Sequence, residues 1–200
     1  MRKGMILGSL AALALTGPAL ASDGFSYSYV ELGWVNTEFD DLDADGDGLG
    51  IRGSFEFTPS FHAFASYTDQ DFDVGAGGNV SGELLEIGGG YAWSLSPQLD
   101  IVGRLAYLDQ SIDVSIAGFG GATFEDDGFG IGGYVRGRPF EQLELTGGLD
   151  FVDMDLGGSD TYFGVGARFF FTKMFAAGLD MRLNSDDTTY TLGGRFNFGQ

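Results

Sequence analysis

Hydrophobic and polar residues alternate along most of this chain with a period of two, the spacing of a strand that shows one face to an apolar medium. Leu49, Ile51, Gly53, Phe55 and Phe57 share one parity, and Gly50, Arg52, Ser54, Glu56 and Thr58 the other. Leu99, Ile101, Gly103, Leu105 and Tyr107 alternate with Asp100, Val102, Arg104 and Ala106. The pattern returns over residues 143–151, 175–184 and 190–198.

Two kinds of break punctuate these runs. Short ones hold Thr58-Pro59-Ser60, Ser96-Pro97-Gln98, Arg138-Pro139-Phe140-Glu141-Gln142 and Thr172-Lys173-Met174. Proline fixes φ and has no N–H for a central ladder, so these read as tight turns. Longer stretches rich in Asp and Gly centre on residues 37–48, 70–80, 110–127, 154–160 and 185–188. Four short turns alternating with five longer loops predict about ten antiparallel strands, with eight as the smaller alternative. Both chain ends then lie on the short-turn side. A hairpin repeat of ~35–45 residues also suits a propeller, but the sustained alternation speaks for a barrel.

The apolar faces carry no charge within these strands. Alternation alone fits two architectures: a soluble sandwich or lipocalin-like barrel with its apolar face inward, or a membrane barrel with that face outward. The polar faces are filled with glycine and with charges of both signs, which suits a crowded lumen better than a solvated surface. Aromatics near the strand ends (Trp34, Phe57, Phe61, Tyr67, Trp93, Tyr107, Phe151, Phe171, Phe175 and Tyr190) fit two interfacial girdles. The expected fold is an all-β, antiparallel, up-and-down transmembrane β-barrel.

The N-terminus strengthens this picture. Arg2 and Lys3 precede an apolar run from Met5 to Leu15, then Ala19-Leu20-Ala21. That is the plan of a cleavable export signal, and the run is short of the roughly 20 apolar residues of a spanning helix. An uncleaved anchor is the alternative. The expected division is a signal peptide at 1–21 and a barrel at 22–200, placed in the outer membrane of a Gram-negative bacterium. Periplasmic chaperones and the barrel-assembly machinery are its expected partners in biogenesis, and outer-membrane lipid and lipopolysaccharide its expected surroundings. There is no cysteine, hence no disulfide framework, thiolate metal site or lipoprotein anchor.

Charge sorts by position. The chain carries a net charge of −19, which excludes a nucleic-acid partner, since phosphate backbones call for clustered Lys and Arg. The inward parity holds Glu31, Glu56, Glu86, Asp100, Glu144, Asp150 and Asp180 together with Arg52, Arg104, Arg136, Arg138, Arg168, Arg182 and Arg195. This near-neutral set predicts a packed polar lumen held by arginine–carboxylate pairs. The longer loops hold Glu38, Asp40, Asp41, Asp43, Asp45, Asp47, Asp71, Asp73, Asp113, Glu125, Asp126, Asp127, Asp155, Asp160, Asp186 and Asp187, with no Lys or Arg. One-signed acidity repels anions and attracts divalent cations.

Asp41, Asp43, Asp45 and Asp47 match the opening of a calcium loop, oxygens at positions 1, 3 and 5 and Gly46 at 6. The match stops at position 12, where Arg52 replaces the bidentate Glu. An ordinary acidic loop is the competing reading, so only weak divalent-cation binding is expected, and no resident cofactor. The lone histidine, His62, follows the Pro59 turn and faces inward at the periplasmic end. No Ser–His–acid set converges on it, so no catalytic residue is assigned and no enzyme is expected.

The stretches Phe25-Ser-Tyr-Ser-Tyr-Val-Glu31, Asp45-Gly-Asp-Gly-Leu-Gly50, Pro59-Ser-Phe-His-Ala-Phe-Ala-Ser-Tyr67, Tyr91-Ala-Trp-Ser-Leu-Ser-Pro-Gln-Leu-Asp100 and Arg104-Leu-Ala-Tyr107 together resemble the diffusible-signal-factor-regulated outer-membrane barrel proteins of xanthomonads. The resemblance covers the first half of the chain. It implies a small exported barrel tied to biofilm or surface phenotypes and brings no catalytic residues with it. Three functions remain in view: a structural or surface-interaction barrel, a narrow cation-preferring porin or channel, and an outer-membrane hydrolase.

Overall fold

A computed structural model describes residues 24–39, 45–73, 78–116 and 120–198. The signal-peptide reading of residues 1–21 and the Ser22 start lie outside these residues. Ten strands follow one another: β1 (Tyr29–Phe39), β2 (Asp45–Glu56), β3 (Phe61–Asp73), β4 (Gly78–Ser96), β5 (Leu99–Ile116), β6 (Gly120–Phe140), β7 (Leu143–Met154), β8 (Gly158–Phe170), β9 (Phe175–Leu183) and β10 (Asp187–Asn197). Each pairs antiparallel with its sequence neighbours, and β1 pairs with β10 from Tyr29↔Asn197 to Phe39↔Asp187, which closes the barrel. Closure removes every edge within the membrane, the condition for β structure in lipid.

The face assignment follows the alternation. Leu32, Leu49, Leu105 and Phe129 are 60%, 62%, 65% and 67% exposed, while the charged parity points inward. A continuous exposed apolar surface of this size is unfavourable in water and is at rest against acyl chains. Aromatic contacts gather near the short turns: Phe57–Phe61, Phe61–Tyr91, Tyr91–Trp93 and Phe169–Phe171.

Three expectations are corrected. Most of the residues assigned to long loops are strand. Of the 110–127 stretch, only 117–119 fall between β5 and β6, and Ile116 pairs with Gly120. Antiparallel pairing continues past the membrane because each strand still finds its partner, and Asp or Ser is acceptable on a ribbon bathed by water. Gly120 (φ 92°) and Gly158 (φ 82°) supply the left-handed backbone where β6 and β8 begin. Second, Pro139 lies inside β6, not in the turn. The β6–β7 register shifts between Gly137 and Phe140, and this irregularity removes the need for the N–H that proline lacks.

Third, the lumen is not wholly polar. Phe64, Ala106, Leu108 and Val152 form a buried cluster with Leu84, Met154 and Tyr162 against it. Phe25, Tyr27, Ala92 and Val102 form another, joined by Tyr134. Register explains how large inward rings fit. His62 pairs with Gly90, Phe64 with Gly88, and Tyr134 with Gly148. A Cβ on any of these three glycines would meet the opposing ring. Each ring therefore lies flat in the space its glycine leaves.

Candidate functional site in the barrel lumen

The inward charges divide into a wall and a set of isolated positions. On the wall, Glu31 of β1 accepts Arg168 Nε (2.7 Å) and Arg195 Nε (2.8 Å), with Arg52 at 3.6 Å. Arg168 also donates to Asp180 (2.7 Å). Arg195 reaches on to Glu144 (3.4 Å), which Arg136 grips through Nε (2.8 Å) and Nη2 (3.0 Å) while Arg138 stands at 3.5 Å. Glu144 is 1% exposed. The result is one connected network from β2 through β1, β10, β9 and β8 to β7 and β6. Such a carboxylate is stable in this setting only because several guanidinium donors face it together.

The other inward charges meet different partners. Arg104 pairs with Glu86 (3.1 Å), which also accepts Ser66 Oγ (3.1 Å), and it lies 3.9 Å over the Phe64 ring. Arg182 covers Tyr162 at 3.6 Å. Asp150 accepts the Tyr134 hydroxyl. Asp100 accepts the Tyr27 hydroxyl (2.8 Å), and Glu56 accepts the Tyr27 N–H (3.2 Å). Arginine–carboxylate pairing thus accounts for Glu31, Glu86, Glu144 and Asp180. Tyrosine and backbone donors hold Asp100, Asp150 and Glu56.

The sequence reading missed the segment 24–28. Phe25 and Tyr27 keep the parity of Tyr29, so they look like the first residues of β1. Instead the segment turns into the lumen at the short-turn end, where Phe25, Ser26, Tyr27 and Ser28 are buried. Arg136 and Arg138 each lie 4.8 Å from the Phe25 ring centre. Burial is the main cause that raises the Tyr27 hydroxyl well above the ordinary tyrosine range, so it remains a donor to Asp100. The inward acids and arginines balance in number, so the sequence carried no signal for this segment.

His62 stacks on Tyr27 with ring centres 4.6 Å apart and an interplanar angle of 16°. It is buried at the periplasmic end of β3. A cavity of about 210 Å³ occupies the middle of the lumen, with Tyr27, Tyr29, Arg52, Phe64, Arg104 and Tyr134 among its walls.

At the opposite end, Asp45 and Asp47 belong to β2, where they pair with Asp73 and Asp71 of β3. Asp47 accepts Asn36 Nδ2 at 3.2 Å. Asp41 and Asp43 lie outside the described residues. Among the described residues, no three acids or histidines gather closely enough to hold a metal ion. Asp126 caps the β7–β8 turn, accepting the N–H groups of Leu156 (2.9 Å) and Gly157 (2.8 Å).

No family model matches the sequence, and no curated protein matches it. Solved structures do resemble the fold. The NanC porin superposes with a TM-score of 0.50 at 10% identity, over 84% of this chain and 100% of that one. Ail, the attachment invasion locus protein of Yersinia pestis, gives 0.48 at 11% identity, over 85% and 97%. The N-terminal β-barrel domain of Pseudomonas aeruginosa OprF gives 0.46 at 17% identity, over 86% and 98%. At these identities the likeness speaks for fold alone. With the closed ten-stranded ladder and the exposed apolar belt, the class is defined: the chain is a small outer-membrane β-barrel.

Proposed function

We propose that this barrel is a non-enzymatic surface-interaction protein, which meets its partners through acidic strand ends standing above the membrane. The observation that carries the reading is strand length. β4, β5 and β6 have 19, 18 and 21 residues, whereas crossing the hydrocarbon takes roughly 9–11. The excess lies at the long-loop end, where Asp113, Glu125, Asp126 and Asp127 occur without any Lys or Arg between residues 108 and 128. Beyond Gly128 the ladder with β7 stops, and past Asp127, whose carbonyl still accepts the Asp155 N–H, the first residues of β6 have no backbone partner on this side among the described residues. Such a surface suits basic segments, or anionic lipopolysaccharide bridged by divalent cations, with Asp41, Asp43, Asp45 and Asp47 among the acids that would recruit them. The resemblance to the xanthomonad barrels supports a surface phenotype of the biofilm or adhesion kind.

The test is to replace residues 112–124 with a two-residue Asn-Gly turn, which rejoins β5 and β6 lower down. The trimmed barrel keeps heat-modifiable gel migration, and cells that carry it lose attachment in a biofilm assay. Undiminished attachment by cells with folded, trimmed barrel disposes of the reading. A second reading, a narrow cation-preferring channel, draws on the lumen cavity beneath a one-signed rim. Steady cation-selective steps from the intact protein in planar bilayers would put it first.

A further inference from the structure

At its periplasmic end the lumen holds a piece of chain that is not part of the wall. Ladder pairing of β1 starts at Tyr29. Ahead of it, Gly24–Ser28 folds inward and is held mainly by side chains from four separate strands. Tyr27 donates its hydroxyl to Asp100 of β5 (2.8 Å) and its N–H to Glu56 of β2 (3.2 Å), and it stacks on His62 of β3. Arg136 of β6 donates to the Ser26 carbonyl (3.1 Å). The Ser28 carbonyl accepts the Phe198 N–H (3.1 Å), the backbone bond that ties the segment's root to the end of the chain. Phe25, Ser26, Tyr27 and Ser28 are 3%, 4%, 6% and 5% exposed. Tyr27 is also part of the lining of the central cavity.

We propose that Gly24–Ser28 is a detachable stopper: seated, it shuts the lumen toward the periplasm, and unseated, it opens the cavity to small cations. The proposal rests on the chain being a membrane-spanning barrel and adds a closed and an open state to it. Unseating leaves the ion preference to the rim. Arg136 keeps its two bonds to Glu144. Asp100 and Glu56 lose Tyr27, and among the described residues Glu56 Oε1 has no hydrogen-bond partner even in the closed state. The groups that lose a partner are of both signs, Asp100 and Glu56 against Arg136 and Arg138, which lose the Ser26 and Gly24 carbonyls. Glu144 still answers both arginines, and the acidic rim at the other mouth sets the preference for cations.

The experiment compares the intact protein with a Phe25→Ala/Tyr27→Ala variant in planar bilayers bathed in KCl. Loss of two buried aromatic anchors raises the frequency of openings by about tenfold or more, with K⁺ preferred over Cl⁻. Heat-modifiable migration of the same samples reports folding: an intact protein that fails there speaks against the membrane barrel itself, not the stopper. A folded variant as silent as the intact protein, or an intact protein that conducts as freely as the variant, overturns the proposal. Where the double variant does not fold, single cysteines in this cysteine-free chain decide. With the stopper seated, a water-soluble maleimide labels Ser26→Cys about tenfold or more slowly than Ser185→Cys on the exposed turn before β10. Equal labelling rates overturn the proposal.

Discussion

The two sides of the lumen solve the same problem in different ways. From β7 round to β2, guanidinium groups and carboxylates satisfy one another, with Arg136 and Arg138 of β6 reaching in, and Glu31 and Glu144 each serve several arginines. From β3 to β6, rings lie over glycines, and polar groups at the base turn to a segment that is inside the lumen but not part of the wall. The two hubs of the first side, Glu31 and Glu144, are satisfied within the wall. The second side is complete only when residues 24–28 are seated. Stability and mobility are thus assigned to opposite sides of one small cylinder.

The sharpest way to break this contrast is to remove a hub of the charged side. Glu144→Gln leaves Arg136, Arg138 and Arg195 facing one another across a site that is 1% exposed at its centre. Loss of a buried charge that holds several partners costs about 3–5 kcal/mol, read as a lower urea midpoint of unfolding from lipid vesicles. On the other side, Gly148→Val drives a branched side chain into the Tyr134 ring, and overpacking of this kind costs about 1–3 kcal/mol by the same measurement. Gly53→Ala is its control, because a Cβ there meets nothing within 4 Å.

A smaller effect is expected from Tyr27→Phe. It keeps the ring on His62 and removes the hydroxyl's contacts with Asp100 and Arg136, a loss of about 0.5–1.5 kcal/mol in the seating of the segment. Cysteine labelling at Ser26 should register it more clearly than global unfolding does. The smallest effect lies at the acidic end. Asp47 and Asp71 face each other directly on β2 and β3, so Asp71→Asn relieves a like-charge pair. The gain is about 0.2–1 kcal/mol at low salt and fades as salt is added.

The parts of the molecule set by local rules were legible in the sequence. Alternation marked which residues touch lipid, because a strand's two faces are fixed once one is apolar. Proline and Asp-Gly clusters marked the reversals, so ten strands could be counted. Strand ends were not legible. A polar ribbon above the membrane and a polar loop have the same composition, and only partner backbones separate them, as for Ile116 and Gly120. The lumen charges could be named from parity, but Asp100 and Asp150 found tyrosines because their partners depend on register and on a segment with no sequence mark of its own. The glycines opposite His62, Phe64 and Tyr134 likewise acquire meaning only when strands are laid side by side.

The seam between β1 and β10 joins the first strand made to the last. Until synthesis has reached Asn197, the cylinder cannot shut, and any shortened copy carries two raw borders of unsatisfied amides into an oily medium that offers them no substitute. Insertion is therefore an all-or-nothing event. A nicked or stalled copy is left with sticky margins that invite aggregation or proteolysis, which gives the cell a simple criterion for sorting finished molecules from failed ones.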